Sequence, residues 1–134
     1  MNEVQISQTV MFYDTDCGGV VSNIAYLRMV ERARSALFES LGMDAAAMME
    51  EQVFPAVIRT EIDYRLPARL GDEVIVSASF ESVAKVRATC LFRLEIAGED
   101  ENRVSAEARQ VVAMVQMPSG RPKRMPAEWV SSVT

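Results

Sequence analysis

The chain contains no histidine in its 134 residues. That absence removes Ser-His-Asp and Cys-His arrangements, His-ligated zinc and imidazole acid/base chemistry, and further copies of the same chain do not restore them. Cysteine is nearly absent too. Cys17 and Cys90 allow at most one disulfide, and their spacing suggests neither a disulfide framework nor a zinc site, so both are read as free thiols. No apolar run approaches the roughly 20 residues of a membrane helix. The first residues, Met-Asn-Glu-Val-Gln-Ile-Ser, lack the basic and apolar regions of a secretory leader. The expectation is therefore a soluble, cytoplasmic protein without membrane insertion. Positive charge is in deficit as well: 14 Lys and Arg stand against 19 Asp and Glu, a net charge of −5, which argues against a general nucleic-acid binder.

What is present is an ordinary globular composition, 49% hydrophobic and 25% charged, so the chain is expected to fold. Its length suits one domain, residues 1–134, with no repeat and no linker. From Val4 to Phe12, apolar Val4, Ile6, Val10 and Phe12 alternate with polar Gln5, Ser7 and Thr9, which reads as a half-buried strand. From Ile24 to Leu41, Tyr26, Val30, Ala33, Leu37 and Leu41 recur at helical spacing, with Gly42 as C-terminal cap. Arg34 falls inside that apolar stripe and must snorkel or pair, Glu31 being the nearest acid. Asp44 is placed to cap a short second helix through Ala45 to Glu51.

After Pro55 the alternation returns: Ala56, Ile58, Ile62 and Tyr64 on one face, then a break at Leu66 to Asp72. Val74 to Phe80 and Val86 to Ile96 read as a hairpin, and Val104 to Met117 as a last long strand whose second half is apolar on both faces. The tail from Pro118 to Pro126 is turn-rich and basic, ordered where it packs on something. One helix and long strands with tight connections give an α+β fold, a five-stranded antiparallel sheet with the helix across its apolar face. The other face carries Arg87, Thr89, Arg93, Glu95, Glu107 and Arg109 and is polar.

The candidate site is the turn Tyr13-Asp14-Thr15-Asp16-Cys17-Gly18-Gly19, which runs through Val20 and Val21 into the helix. Two carboxylates precede a glycine pair, and the helix then opens with Ser22 or Asn23 as N-cap, its first amides and dipole free to hold an oxyanion. A carboxylate beside an oxyanion binder is a minimal hydrolytic kit. The bland alternative is that Asp14 and Asp16 only cap a turn.

In its order of motifs, this chain closely resembles the hotdog-fold acyl-CoA thioesterases of the 4-hydroxybenzoyl-CoA thioesterase type. The residues that carry the likeness are Tyr13-Asp14-Thr15-Asp16-Cys17-Gly18-Gly19-Val20-Val21, Tyr26-Leu27, Glu31-Arg32-Ala33-Arg34, Asp63-Tyr64, Pro67-Ala68, Gly71-Asp72 and Gly120-Arg121-Pro122. The resemblance implies a curved sheet wrapped around one long central helix, homodimers joined along sheet edges with active sites at the interface, and often tetramers. It also implies that the second Asp of Asp-x-Asp, here Asp16, is the catalytic carboxylate, as base or nucleophile. Many relatives have His where this chain has Asn23.

On this reading Asp16 is the catalytic residue and Asp14 a capping group. Backbone amides of Gly19, Asn23 and Ile24 bind the thioester oxygen, and Arg87, Arg121, Lys123 and Arg124 are candidates for the coenzyme A phosphates. Arg65 and Arg69 are weaker candidates, and a solvated basic tail is the competing explanation of residues 121–124. Met29, Met43, Met48 and Met49 either line an acyl pocket or fill core gaps. A metal is not expected, because Asp-Thr-Asp has too few neighbouring oxygen ligands, and no cofactor is required. Cys17 without a His partner reads as a bystander, and Glu31 as a second candidate base unless it pairs with Arg34. The rival function is a hotdog domain that binds acyl-CoA or an acyl carrier protein without turnover. Dehydratase chemistry is disfavoured, because in relatives it leans on a His.

Overall fold

The computed structural model describes residues 3–132; the outermost residues of the expected 1–134 domain lie outside it. Strand β1 (Val4–Thr9) is followed by a loop and α1 (Asn23–Glu39), α2 (Ala45–Glu51), β2 (Val53–Tyr64), β3 (Glu73–Val83), β4 (Arg87–Ile96), β5 (Arg103–Gln116), β6 (Arg121–Lys123) and α3 (Ala127–Ser132). The sheet order is β1-β3-β4-β5-β2, antiparallel throughout, with β6 added to β5 beyond the start of β4. A sixth, three-residue strand thus joins the expected five.

α1 forms because its apolar residues share one face: Ala25, Tyr26, Met29, Val30, Ala33, Leu37 and Phe38 are all buried. Ser22 is the N-cap, accepting the Ala25 N–H on its Oγ, and the left-handed Gly42 follows the C-terminus. Asp44 caps α2 through Ala47 N–H. The sheet curls around α1, whose buried face meets Val74, Val76 and Ala78 of β3 and Cys90, Phe92 and Leu94 of β4 in one core. Each of those strand residues alternates with a more exposed one, the period-2 pattern of a sheet with one covered face. The second half of β5 is buried at Val112 and Met114 and half-buried at Val111, Ala113 and Val115, so its outer face is only partly covered.

Three expectations are corrected. Phe12 does not continue the buried face of β1: the strand ends at Thr9, Val10 is the last core residue, and Phe12, in a 3-10 turn, is 80% exposed. β2 begins before Pro55, which an edge strand tolerates, and a bulge at Ile58 splits its alternation. Val53, Pro55 and Val57 therefore share the helix-side face with Thr60, Ile62 and Tyr64, while Ala56 lies on the opposite face and Ile58 is the extra, half-exposed residue. Val86 precedes β4 and is exposed. The tail packs as well: Met125 and Trp129 are buried, and Trp129 lies 5.2 Å from the Phe38 ring and 5.6 Å from Phe80. Among the described residues, no helix is long and apolar enough to cross a membrane.

Candidate functional site

The loop between β1 and α1 is locked by its own backbone. Ser22 N–H donates to the Asp14 carbonyl, Thr15 bridges Val21, Asp16 N–H donates to the Val20 carbonyl at 3.0 Å, and Gly19 N–H to the Asp16 carbonyl at 3.1 Å. Closing so tight a turn puts Gly18 at φ +81°, a conformation that a side chain resists. The loop is clasped from outside by residues 68–70. Val21 N–H donates to the Ala68 carbonyl and Leu70 N–H to the Gly19 carbonyl, while Val20 bridges Arg69.

The two carboxylates face different surroundings. Asp14 is buried and its Oδ2 accepts Met11 N–H at 2.9 Å, a turn-capping use. Asp16 is exposed, and among the described residues its side chain caps no turn and forms no ion pair. Immediately downstream, Asn23 and Ile24 are the first two residues of α1, and their amides have no acceptor within the helix, since Ser22 serves Ala25. No acidic residue occupies the first turn, so the positive end of the helix is not neutralised from within. The Gly19 amide, by contrast, is already engaged.

Next to those amides lies an apolar trough of about 360 Å³, lined by Asn23, Ile24, Leu27, Thr60, Ile62 and Tyr64. It exists because α1 packs over β1, β3 and β4 and leaves the helix-side face of β2 partly uncovered. Thr60, Ile62 and Tyr64 face the helix, as the alternation of Ile62 and Tyr64 implies; what strict alternation misses is the bulge at Ile58, which takes Ala56 and Ile58 out of that face. The larger groove of about 540 Å³ is on the other face of the sheet, among Arg65, Arg93, Arg109 and acidic side chains, and includes none of residues 10–24.

A polar cluster sits behind the trough. Arg34 forms an ion pair with Glu31 and donates to Gln110 Oε1 at 2.8 Å; Gln110 Nε2 donates to Glu31 Oε2 at 2.9 Å and to Thr60 Oγ1 at 3.1 Å. Arg34 thus resolves its place in the apolar stripe by pairing. Partial burial raises the Glu31 pKa, but the hydrogen bonds from Arg34 and Gln110 and the charge of Arg34 outweigh it, and the carboxyl titrates below its ordinary value. Glu31 is committed to this cluster. Gln110, fully buried on β5, has no sequence signal beyond its polarity in an apolar register.

The four basic candidates do not converge within one protomer. Lys123 stands opposite Met114 and Arg87 opposite Ala113, so their side chains leave opposite faces of the sheet, and Arg121 shares the face of Lys123. Arg124 is exposed just past β6. β6 pairs with residues 114–116, whereas the loop of Asp16 is clasped near the Tyr64 end of β2, opposite Ala106; along β5 that separation is on the order of 25 Å. Of the thiols, Cys17 is exposed, and burial pushes Cys90 up to about 12 against the opposing charge of Arg34. Met29 is core, Met43 and Met48 pack on its margin, and Met49 is exposed.

Residues 10–133 match the family model of the thioesterase-like superfamily. The acyl-CoA thioesterase YbgC of Haemophilus influenzae is 32% identical over 120 residues, covering 89% of this chain and 85% of that protein. The acyl-CoA thioester hydrolase YbgC of Escherichia coli is 30% identical over 122 residues, covering 91% and 89%. Among solved structures, a mutant 4-hydroxybenzoyl-CoA thioesterase complexed with 4-hydroxybenzoyl-CoA superposes with a TM-score of 0.86 at 12% identity, covering 98% of this chain and 99% of that one. With the sheet order, the wrapped helix and the family match over nearly its whole length, the chain belongs to the thioesterase-like superfamily and carries its hotdog fold.

Proposed function

We propose that the protein hydrolyses acyl-CoA thioesters, with Asp16 as the base or nucleophile. The observation that carries this reading is one juxtaposition. An unpaired carboxylate sits on a backbone-locked turn that runs directly into a helix whose first two amides are open. In the reaction, Asp16 either attacks the thioester carbonyl, expelling the thiolate and forming a mixed anhydride that water then cleaves to the free acid, or takes a proton from the water that attacks the carbonyl. The amides of Asn23 and Ile24 receive the negative charge that develops on the carbonyl oxygen. The departing group is a thiolate, a much weaker base than an alkoxide or an amide anion, so it leaves without a strong proton donor. That accounts for how a chain with no His still performs the chemistry. The trough beside Ile24 and Leu27 is the acyl slot, and the names of the two YbgC relatives, an acyl-CoA thioesterase and an acyl-CoA thioester hydrolase, support the substrate class.

The site is completed by a second copy. β2 is a 12-residue edge strand flanked by exposed apolar groups, Val57, Ile58 and Tyr64 with Ile24 and Leu27 beside them, whereas the other edge, β1, is short and outwardly polar. A long apolar edge is a pairing site. Antiparallel pairing of two β2 strands about a two-fold axis near their middle carries Arg121, Lys123 and Arg124 of one copy toward the Asp16 end of the other, where coenzyme A phosphates need cations.

A panel of aromatic and aliphatic acyl-CoA thioesters, assayed for free thiol, tests the activity. Release from at least one member is expected; tight binding of several with release from none would mean a domain that binds thioesters without turnover. For the assembly, the wild type is expected to sediment at twice the 14.9 kDa chain mass or a multiple of it. Ile58→Lys is expected to be monomeric, with KM for the thioester raised about tenfold or more through loss of cation–phosphate contacts. A fully active monomeric wild type would defeat the two-copy site.

A further inference from the structure

We propose that Tyr26 is a positioning residue whose hydroxyl sets the distance between the Asp16 turn and the first amides of α1. The inference rests on Asp16 being the catalytic carboxylate. Tyr26 lies in the second half-turn of α1, just past Asn23 and Ile24, and is buried, so its position follows that of the helix end. Its oxygen accepts Ala68 N–H at 2.9 Å and lies 2.8 Å from Ser105 Oγ, which itself donates to the Leu66 carbonyl at 2.6 Å. Because the one Ser105 proton goes to Leu66, the Tyr26 proton goes to Ser105. A single phenol therefore holds both ends of the Leu66-Pro67-Ala68 segment.

That segment is what clasps the catalytic turn. The Ala68 carbonyl accepts Val21 N–H at 2.9 Å, Leu70 N–H reaches the Gly19 carbonyl at 3.0 Å, and the Val20 carbonyl accepts Asp16 N–H at 3.0 Å. The connection runs from helix to phenol, to clasp, to turn, and returns to the helix through Ser22. Asp16 and the open amides are thus two points on one closed, hydrogen-bonded ring. Such a ring fixes a reacting geometry in a way that exposed loop residues alone do not.

Tyr26→Phe keeps the ring that packs 5.3 Å from Tyr64 and deletes only the hydroxyl. At a temperature well below its melting point, kcat is expected to fall about tenfold to a hundredfold with KM within about twofold, since binding groups are intact and alignment is lost. Amide hydrogen exchange at Val21 and Leu70 is expected to quicken about tenfold, with β3 and β4 unchanged. A folded Tyr26→Phe with wild-type kcat, or with wild-type exchange at those two amides, overturns the proposal. Should Tyr26→Phe not fold, Ser105→Ala, which keeps the Tyr26–Ala68 bond, is expected to quicken the same amides to a lesser degree, and unchanged exchange there overturns it equally. The exchange measurement needs no turnover. A wild type that hydrolyses no thioester therefore defeats the functional reading while the clasp is still decided.

Discussion

Asp16→Asn is expected to lower kcat by about a hundredfold to ten-thousandfold, the contribution of a positioned base or nucleophile, while leaving binding of free CoA within about twofold. The substitution is isosteric, and among the described residues nothing structural depends on the charge: the residue is exposed, its side chain caps no turn, and the bonds that lock the turn come from its own N–H and C=O. Stability should therefore stay within about 0.5 kcal/mol of the wild type, the range of surface changes that touch no partner. Single-turnover thiol release together with calorimetric titration of CoA measures both quantities. A variant that turns over at the wild-type rate would move the chemistry away from this turn.

The largest effect on stability is expected from Arg34→Met, at about 2–3 kcal/mol, or a fall in Tm of about 6–12 °C for a domain of this size. Methionine fills much of the arginine volume, so the loss is electrostatic. Gln110 Oε1, fully buried, loses its donor, and Glu31 keeps a charge without its cation. The Glu31 side chain is 41% exposed, so water recovers part of its solvation and the cost stays below that of a wholly buried pair.

The pH dependence has a definite sign. A carboxyl whose folded pKa lies below its unfolded value, ordinarily near 4.3, adds stability above that value and loses it as pH falls through the folded pKa. In Arg34→Met the lowering is largely removed, so the variant's deficit should be fullest near neutrality and shrink toward acid. Melting curves followed through Trp129, the only tryptophan in the sequence and buried against Phe38 and Phe80, report this directly. An equal Tm at neutral pH would show that Gln110 and Glu31 find other partners.

Much of the architecture was legible from pattern. The stripe from Tyr26 to Leu37 places one helix face in the core, the Ser22-Asn23 pair and Asp44 announce their helices, with Ser22 the actual cap of the first, and Val74 to Phe80 with Ala88 to Ile96 alternate as a hairpin does. These features are local, set by backbone sterics and by a period of 3.6 or 2, so neighbouring residues carry the information. The odd position of Arg34 was legible for the same reason, as was its partner Glu31 one turn away. Alternation carries Phe12 onto the sheet face because it does not say where pairing stops. Beyond Thr9 the chain needs Val10 to reach Asp72 and Gly71, and the following turn lifts Phe12 off the sheet.

The candidate site divides along the same line. By itself the sequence determined the chemistry on offer: no imidazole, one Asp-x-Asp turn ahead of glycines, and a helix end after it. The family resemblance already separates a capping Asp14 from Asp16, whereas only the tertiary structure shows the Gly19 amide engaged and those of Asn23 and Ile24 open, and brings Tyr26, Ala68 and Ser105 into one network. It also takes Ala56 and Ile58 out of the face of Ile62 and Tyr64 through one bulge, and sets Arg121 and Lys123 at the far end of the sheet. The physical reason is range. Hydrophobic period and capping act over a turn or two of chain, whereas hydrogen-bond satisfaction and strand register are settled between segments 40 to 80 residues apart, as Tyr26 with Ala68 and Arg34 with Gln110 are, and no local pattern encodes which distant group will complete the bond.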